Sequence, residues 1–374
     1  MKTDDVIVSF RGVRKTYDGE TLVVRHLDLD IYRGEFLTLL GPSGSGKTTC
    51  LMMLAGFEFP TAGEIRLDGT LLNTVPPHKR NIGMVFQNYA LFPHLTAEQN
   101  VQYPLSVRKV AAAERAERVR EALAMVRMER FAKRYPAQLS GGQQQRIALA
   151  RALVFHPKLV LMDEPLGALD KQLREHMQYE LKSLHEKLGL TFVYVTHDQG
   201  EALTMSDRVA VFDKGVVQQL DTADCLYESP CNTFVANFIG DNNVLHGKVV
   251  RVDGDYCELQ LADGSRVMGR NVAGASVGAA AVGCIRPERI RIGDAQPARA
   301  NVLAGLTRDI VYFGDHVRMR CALPDQPECF VKVPLGIRAL EGFEPQAPIR
   351  LTFAPEHLRV FLSHADEALH GVAH

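Results

Sequence analysis

Four short runs rich in Leu, Val, Ile and Phe stand out along the chain: Phe36 to Leu40, Leu159 to Met162, Thr191 to Thr196 and Arg208 to Phe212. Strands of a parallel sheet covered on both faces read this way, because neither set of alternate side chains meets water. Two other stretches alternate instead, Leu27, Leu29 and Ile31 against Asp28 and Asp30, and Ile65 and Leu67 against Glu64 and Arg66. That period of two predicts half-exposed antiparallel strands. The first half of the chain is therefore expected to join a nucleotide-type α/β core to a small antiparallel layer.

From Leu105 to Phe155 the period becomes that of helices, with Val119, Ala122, Leu123 and Val126 on one stripe. The charged residues around it, Glu114 to Glu121, fit a solvated helix face better than a partner-binding one. A helical insertion spanning about 93–156 follows. Ser229-Pro230 and the turn-prone run Gly240 to Asn243 bracket a short helical stretch, after which Gly- and Pro-punctuated β patterns take over. The expected division is thus 1–240 and 241–374. The tail reads as two related halves, one with Asp263-Gly264 between strands and ending at Arg286-Pro287-Glu288, the other ending at Ala354-Pro355-Glu356. Small β-barrels are the expected result.

Composition narrows the partners. The 374 residues suit two domains. The 43 Lys and Arg nearly cancel the 44 Asp and Glu, so the electrostatic footprint of a nucleic-acid binder is missing. Seven cysteines show no CxxC pair or metal-ligand spacing, as in a reduced, cytosolic chain. Met1 to Asp5 is charged, unlike the start of a signal peptide. The uncharged, apolar run of 15 residues from Asn271 to Ile285 is short of a membrane span, so any membrane element is expected in another subunit.

The chemistry concentrates at three places. Gly41-Pro42-Ser43-Gly44-Ser45-Gly46-Lys47-Thr48-Thr49 follows an apolar run and opens a helix on which Leu51, Leu54 and Ala55 share a face. This is the context of a phosphate-cradling P-loop. Backbone amides and the helix N-terminus would face phosphate oxygens, Lys47 would reach the β- and γ-phosphates of ATP, and Thr48 would ligate Mg²⁺. Asp163 and Glu164 end a buried run, which suits a metal-holding carboxylate beside a general base for attacking water. Finally, Leu139-Ser140-Gly141-Gly142-Gln143 precedes a helix lined by Ile147, Ala150 and Val154. Ser140 and Gln143 fit a capping box. Two glycines in a first turn cost roughly 1 kcal/mol each relative to Ala, so a phosphate approaching bare backbone is the better explanation.

With the signature LSGGQ, the P-loop and the Asp-Glu strand in this order, the sequence resembles the ATP-binding subunits of ABC transporters. The resemblance runs motif by motif from residue 6 to about 240 and continues into a tail like the TOBE-type, OB-like β-barrel domain of solute-importer subunits. It implies a P-loop NTPase core of α/β class with an antiparallel β subdomain and a helical insertion. It also implies that Gln87 approaches Mg²⁺ and the water while sensing the membrane partner, that adenine stacks on Tyr17, and that His197 contacts the γ-phosphate. Leu166 to Asp170 matches the dimer-contacting loop, with Gly167 where the family more often keeps a serine hydroxyl. Two copies would face head to tail, each ATP lying between the P-loop of one and the signature turn of the other. The implied complex is a homodimer with two integral membrane permease subunits and a solute-binding protein, peripheral to the cytoplasmic face of the inner membrane.

Pro76 to His94 most resembles the polyamine (spermidine/putrescine) importers; ferric iron, sulfate, glycerol-phosphate and maltose importers carry similar segments. A small-molecule kinase shares the P-loop but not LSGGQ. An ABC ATPase unconnected with transport would need coiled coils, a second P-loop or a basic surface. A regulatory module without hydrolysis is disfavoured because every catalytic position is filled.

Overall fold

In the computed structural model, residues 5–167, 169–293, 300–324, 326–335 and 344–363 are described; most of the charged start and Ala168 lie outside them. The chain divides into two compact units, Met1–Asp224 and Cys225–His374. That division precedes Gly240. The reason is Arg286, whose guanidinium donates to Ala236 O, Asp241 O and Tyr227 O and so gathers the segment after Asp224 into the second unit.

The four fully apolar runs form the expected parallel strands. Phe36–Leu40 lies between Thr191–Thr196 and Arg208–Asp213, and Thr191–Thr196 pairs onward with Leu159–Asp163. A further parallel strand, Ile82–Val85, adds beside Leu159–Asp163. The expected antiparallel strands also form, Leu22–Tyr32 and Ala62–Leu67, with Val6–Thr16 paired between them. They are not a separate layer. Val216–Asp221 pairs with Arg208–Asp213 on one side and touches Leu22–Tyr32 on the other through Val216 and His26, so the described strands of this unit form one ten-stranded sheet.

The sheet buries two cores. On one face Leu51, Leu54 and Ala55 of the Lys47–Ala55 helix pack with Leu29, Ile31, Leu161 and Val195. On the other the helices Ala97–Val107, Ala112–Met125 and Gly141–Leu153 bring Val101, Leu105, Leu123 and Ile147 onto Phe36, Val160, Phe192 and Tyr194. The stripe Val119, Ala122, Leu123 and Val126 is buried, while Glu114, Glu117, Arg120 and Glu121 are exposed.

The two related halves of the tail are present, but only the first closes as a barrel among the described residues; the second is a five-stranded sheet. The halves exchange their last strands. Arg291–Ile292, which follows Arg286-Pro287-Glu288, pairs with Pro348–Phe353 of the second sheet. Arg359–Leu362, which follows Ala354-Pro355-Glu356, completes the barrel beside Ala280–Ile285. Two buried asparagines repeat the exchange, each opening a strand of one half and clamping one in the other. Asn243 accepts from Phe330 N at 2.7 Å and donates to Phe330 O at 2.8 Å, and Asn301 does the same with Met268 at 2.7 and 2.8 Å.

No described helix is long and apolar enough to cross a membrane.

Candidate active site

Parallel pairing puts the C-terminal ends of neighbouring strands along one edge, about 4.8 Å apart, and that edge is where open α/β sheets bind ligands. The predicted residues sit there. Phe36–Leu40 runs into Gly41, Thr191–Thr196 into His197, Leu159–Asp163 into Glu164, and Ile82–Val85 into the segment carrying Gln87.

The Gly41–Gly46 turn is shaped by close backbone approach. A Cβ on Gly41 would lie 2.3 Å from Phe212 O, so no other residue fits. Gly46, at φ 101°, caps the Lys47–Ala55 helix without a side-chain hydrogen bond, leaving its first amides uncovered by side chains. The Lys47 side chain is 4% exposed and donates to Gly41 O and Pro42 O at 2.8 Å and to Ser45 Oγ at 3.3 Å. Burial lowers its pKa against the opposing charges of Glu164 and Asp163.

Thr48 Oγ1 donates to Asp163 Oδ1 at 3.1 Å, which joins the two expected Mg²⁺ ligands. Burial raises the Asp163 pKa; the Thr48 bond opposes this and the charge of Glu164 adds to it. Hard oxygen donors, one hydroxyl and one carboxylate, suit Mg²⁺, which completes its shell with phosphate and water rather than with an all-protein cage. No cluster of three or more His, Cys, Asp or Glu suited to a metal occurs among the described residues.

Glu164 is held at φ 43°, a left-handed conformation rare for a non-glycine residue. Its amide bonds Val195 O at 3.0 Å. Both carboxylate oxygens are engaged: Gln87 Nε2 donates to Oε2 at 3.3 Å, and His197 Nδ1 lies 3.1 Å from Oε1. An ionised carboxylate only accepts, so this pairing needs the imidazole proton on Nδ1. Gln87 thus meets Glu164, and among the described residues no hydrogen bond takes it to the Thr48–Asp163 pair.

Tyr17 projects from the turn between the Val6–Thr16 and Leu22–Tyr32 strands with 60% of its surface exposed. The Lys15 ammonium sits 4.6 Å from its ring centroid and is anchored to Glu58 Oε2 and Phe59 O at 2.8 and 2.9 Å. The turn and the P-loop are neighbours, since Gly46 packs against Val23 O and the Val24 side chain.

The signature turn stands apart; among the described residues no hydrogen bond or ion pair joins Leu139–Gln143 to Gly41–Thr49. Ser140 caps the Gly141–Leu153 helix in a complete capping box, with Ser140 N donating to Gln143 Oε1 at 3.0 Å and Gln143 N to Ser140 Oγ at 3.4 Å. The two glycines differ. A Cβ on buried Gly142 would come within 3.2 Å of Leu173 Cδ2, so packing inside the chain also favours glycine there. Exposed Gly141 would meet only an ordinary contact at 3.4 Å, to Leu169 Cδ2.

Sequence reading missed several residues that hold this edge together. Arg151 and Asn100 are buried and bind backbone atoms of the loop after Gln87. Arg174 joins Leu169 O of the expected dimer-contacting loop to Asp198 beside His197, at 3.1 and 3.2 Å. A lone arginine inside an apolar helical stripe was the available signal for Arg151.

The ABC transporter family model matches residues 24–167, and the TOBE domain model matches 283–361. The spermidine/putrescine import ATP-binding protein PotA of Rubrobacter xylanophilus is 49% identical over 322 residues, covering 86% of this chain and 84% of its own. Its counterpart in Thermobifida fusca is 46% identical over 354 residues, covering 94% and 92%. A dimeric ATP-binding cassette solved in a post-hydrolysis state with ADP and Pi is 39% identical, with a TM-score of 0.52 over 58% of this chain and 98% of its own. Together with an intact P-loop, acid pair and signature turn, likeness over that share of both chains shows that this protein belongs to the ATP-binding subunits of ABC transporters and is an ATPase of that family.

Proposed function

We propose that the chain powers polyamine import, as the spermidine/putrescine relatives are named to do, from the cytoplasmic face of the inner membrane. It works as a homodimer with two permease subunits and a solute-binding protein. The observation that carries the catalytic reading is Glu164, fixed in a strained backbone conformation with Gln87 and His197 on its two oxygens and Thr48–Asp163 beside it.

ATP binds first through the P-loop. Lys47 exchanges its neutral carbonyl acceptors for phosphate oxygens, and charge-assisted bonds of that kind are roughly twice as strong as neutral ones. Tyr17 offers adenine the ring face not taken by Lys15. Thr48 and Asp163, with Gln87 near, would hold Mg²⁺, which neutralises phosphate charge when bound. Glu164 accepts the proton of the attacking water. Each of its oxygens has capacity beyond the bond it already receives, so Gln87 and His197 orient the base without consuming it. His197 donates its Nδ1–H to Glu164 and contacts the γ-phosphate when Nε2 also carries a proton, which it donates to a phosphate oxygen. Leu139, Ser140, Gly141, Gly142 and Gln143 serve the partner's nucleotide, closing the dimer around two ATP molecules.

The test combines one variant with one transport assay. Glu164→Gln should retain ATP binding and slow hydrolysis by roughly 10²- to 10⁴-fold, the usual worth of a positioned general base. Near-normal turnover would remove Glu164 from that role. Uptake by the assembled transporter should select labelled spermidine or putrescine over maltose, sulfate, glycerol-phosphate and ferric iron; selection of any of those overturns the cargo and leaves the ATPase reading intact.

A further inference from the structure

The loop after Gln87 is held in a shape that its own residues disfavour. Tyr89 and Ala90 are consecutive non-glycine residues at φ 62° and 45°. Left-handed conformations of this kind persist where the surroundings over-determine them. Here one side chain bonds both residues. Arg151, in the last turn of the Gly141–Leu153 helix, donates from Nη2 to Tyr89 O and from Nη1 to Ala90 O, both at 2.7 Å. Its guanidinium carbon lies 5.9 Å from the Phe92 ring centroid.

Arg151 is 9% exposed, and among the described residues no carboxylate pairs with it. A buried cation without a counter-charge is expensive to keep. What it receives in return is the planar fork of a guanidinium laid across two successive carbonyls, which a lysine ammonium cannot reproduce. Asn100 grips the same loop two residues on, accepting from Phe92 N at 2.8 Å and donating to Phe92 O at 3.1 Å.

Gln87 sits two residues before Tyr89 and reaches Glu164. At the other end of the Arg151 helix stands the signature turn, Ser140 with Gly141 and Gly142. The helix has 13 residues and spans about 20 Å at 1.5 Å per residue. We propose that Arg151 is a positioning residue that ties the placement of Gln87 on Glu164 to the helix bearing the signature turn. A shift of that helix when its N-terminus engages the partner's nucleotide is then carried by two hydrogen bonds into the loop, and Gln87 moves relative to the base. The inference rests on the reading above that Gln87 acts with Glu164.

A double-mutant cycle in the full chain, assembled with its membrane subunits, tests it by steady-state ATP hydrolysis. Arg151→Lys keeps the charge and loses the fork. It should lower kcat by about 10- to 100-fold, the scale of a misplaced catalytic group, with the KM for ATP nearly unchanged because the P-loop is untouched. In a Gln87→Ala background the same substitution should cost nothing more, since residues acting through one another are non-additive. Ala90→Val guards against a folding defect in the buried site. It lies at an exposed position and strains the same turn, because a β-branched residue resists positive φ. It should repeat both the kcat loss and the non-additivity. Effects of Arg151→Lys and Gln87→Ala that multiply, a parallel rise in KM, or an unchanged kcat in Ala90→Val would each overturn the role of Arg151 while leaving Gln87 in place. If Gln87→Ala alone leaves kcat unchanged, the reading of Gln87 fails, and the inference fails with it.

Discussion

The chain contains two glycine-rich helix starts, and they are built on opposite plans. At Gly46 the helix begins without a side-chain cap, and the one long side chain nearby, Lys47, folds onto the turn's own carbonyls. At Ser140 the helix begins with a full capping box, so Ser140 and Gln143 satisfy each other before any nucleotide arrives. The first start leaves its donors to a ligand. The second is already internally bonded, and its serine contact at 3.4 Å is long enough to give way. Two apparently similar motifs should therefore differ in what they contribute: the P-loop supplies affinity, and the signature turn supplies a contact that matters only once two chains have met.

The largest effects separate these contributions. Lys47→Ala should weaken ATP binding by about 2 to 5 kcal/mol, the cost of truncating one partner of a buried charged contact. Ser140→Arg should leave binding to the isolated chain nearly intact while abolishing turnover. Pairing one Lys47→Ala subunit with one Ser140→Arg subunit puts both defects in one shared site and none in the other, so one nucleotide per dimer should still be occluded. A wild-type subunit paired with Lys47→Ala is the control. If that control occludes nucleotide and the doubly mutant pair does not, the two starts are not shared across the dimer.

A smaller effect is expected at Tyr17. Tyr17→Ala should weaken nucleotide binding by about 1 to 3 kcal/mol, judged by base–aromatic stacking elsewhere, and Tyr17→Phe should cost little. Equal losses in the two variants would assign the contact to the hydroxyl. The smallest shift is at the signature glycines. Gly141→Ala should raise thermal stability by about 0.5 kcal/mol, at the low end of the helix gain from Gly to Ala because the site is in the first turn, while lowering hydrolysis. If Gly141→Ala is both more stable and fully active, no partner group approaches that backbone.

Much of this was legible because the signals are local. The P-loop, the Asp163-Glu164 end of an apolar run and the capping-box spacing at Ser140 each lie within a few residues. What stayed hidden depends on distant pairing. Ile82–Val85 is four residues long with a glycine in it, and nothing in those residues announces a parallel strand beside Leu159–Asp163. The continuity of the ten-stranded sheet hangs on Val216 meeting His26, a contact between residues 190 positions apart. Arg151 stands out in its apolar stripe, but neither it nor Asn100 reveals which loop it holds until that loop is in place. At Gly142 a second reason for a bare backbone appears only in three dimensions, because the Lys171–Leu188 helix brings Leu173 against it.

The exchange of strands in the C-terminal unit bears on how the protein is made. The barrel begins with Asn243–Asp253 and is completed by Arg359–Leu362, so its first strand leaves the ribosome more than a hundred residues ahead of its last. Loop closure over such a span comes before the contacts that reward it. The ATP-binding unit also waits for distant partners, since Phe36–Leu40 pairs with Thr191–Thr196, but all its described strands precede residue 225 and so emerge first. During synthesis a nascent subunit therefore passes through a stage in which a finished motor trails an open barrel with unpaired strand edges, and any chain broken off before residue 359 stays at that stage, exposed to proteolysis.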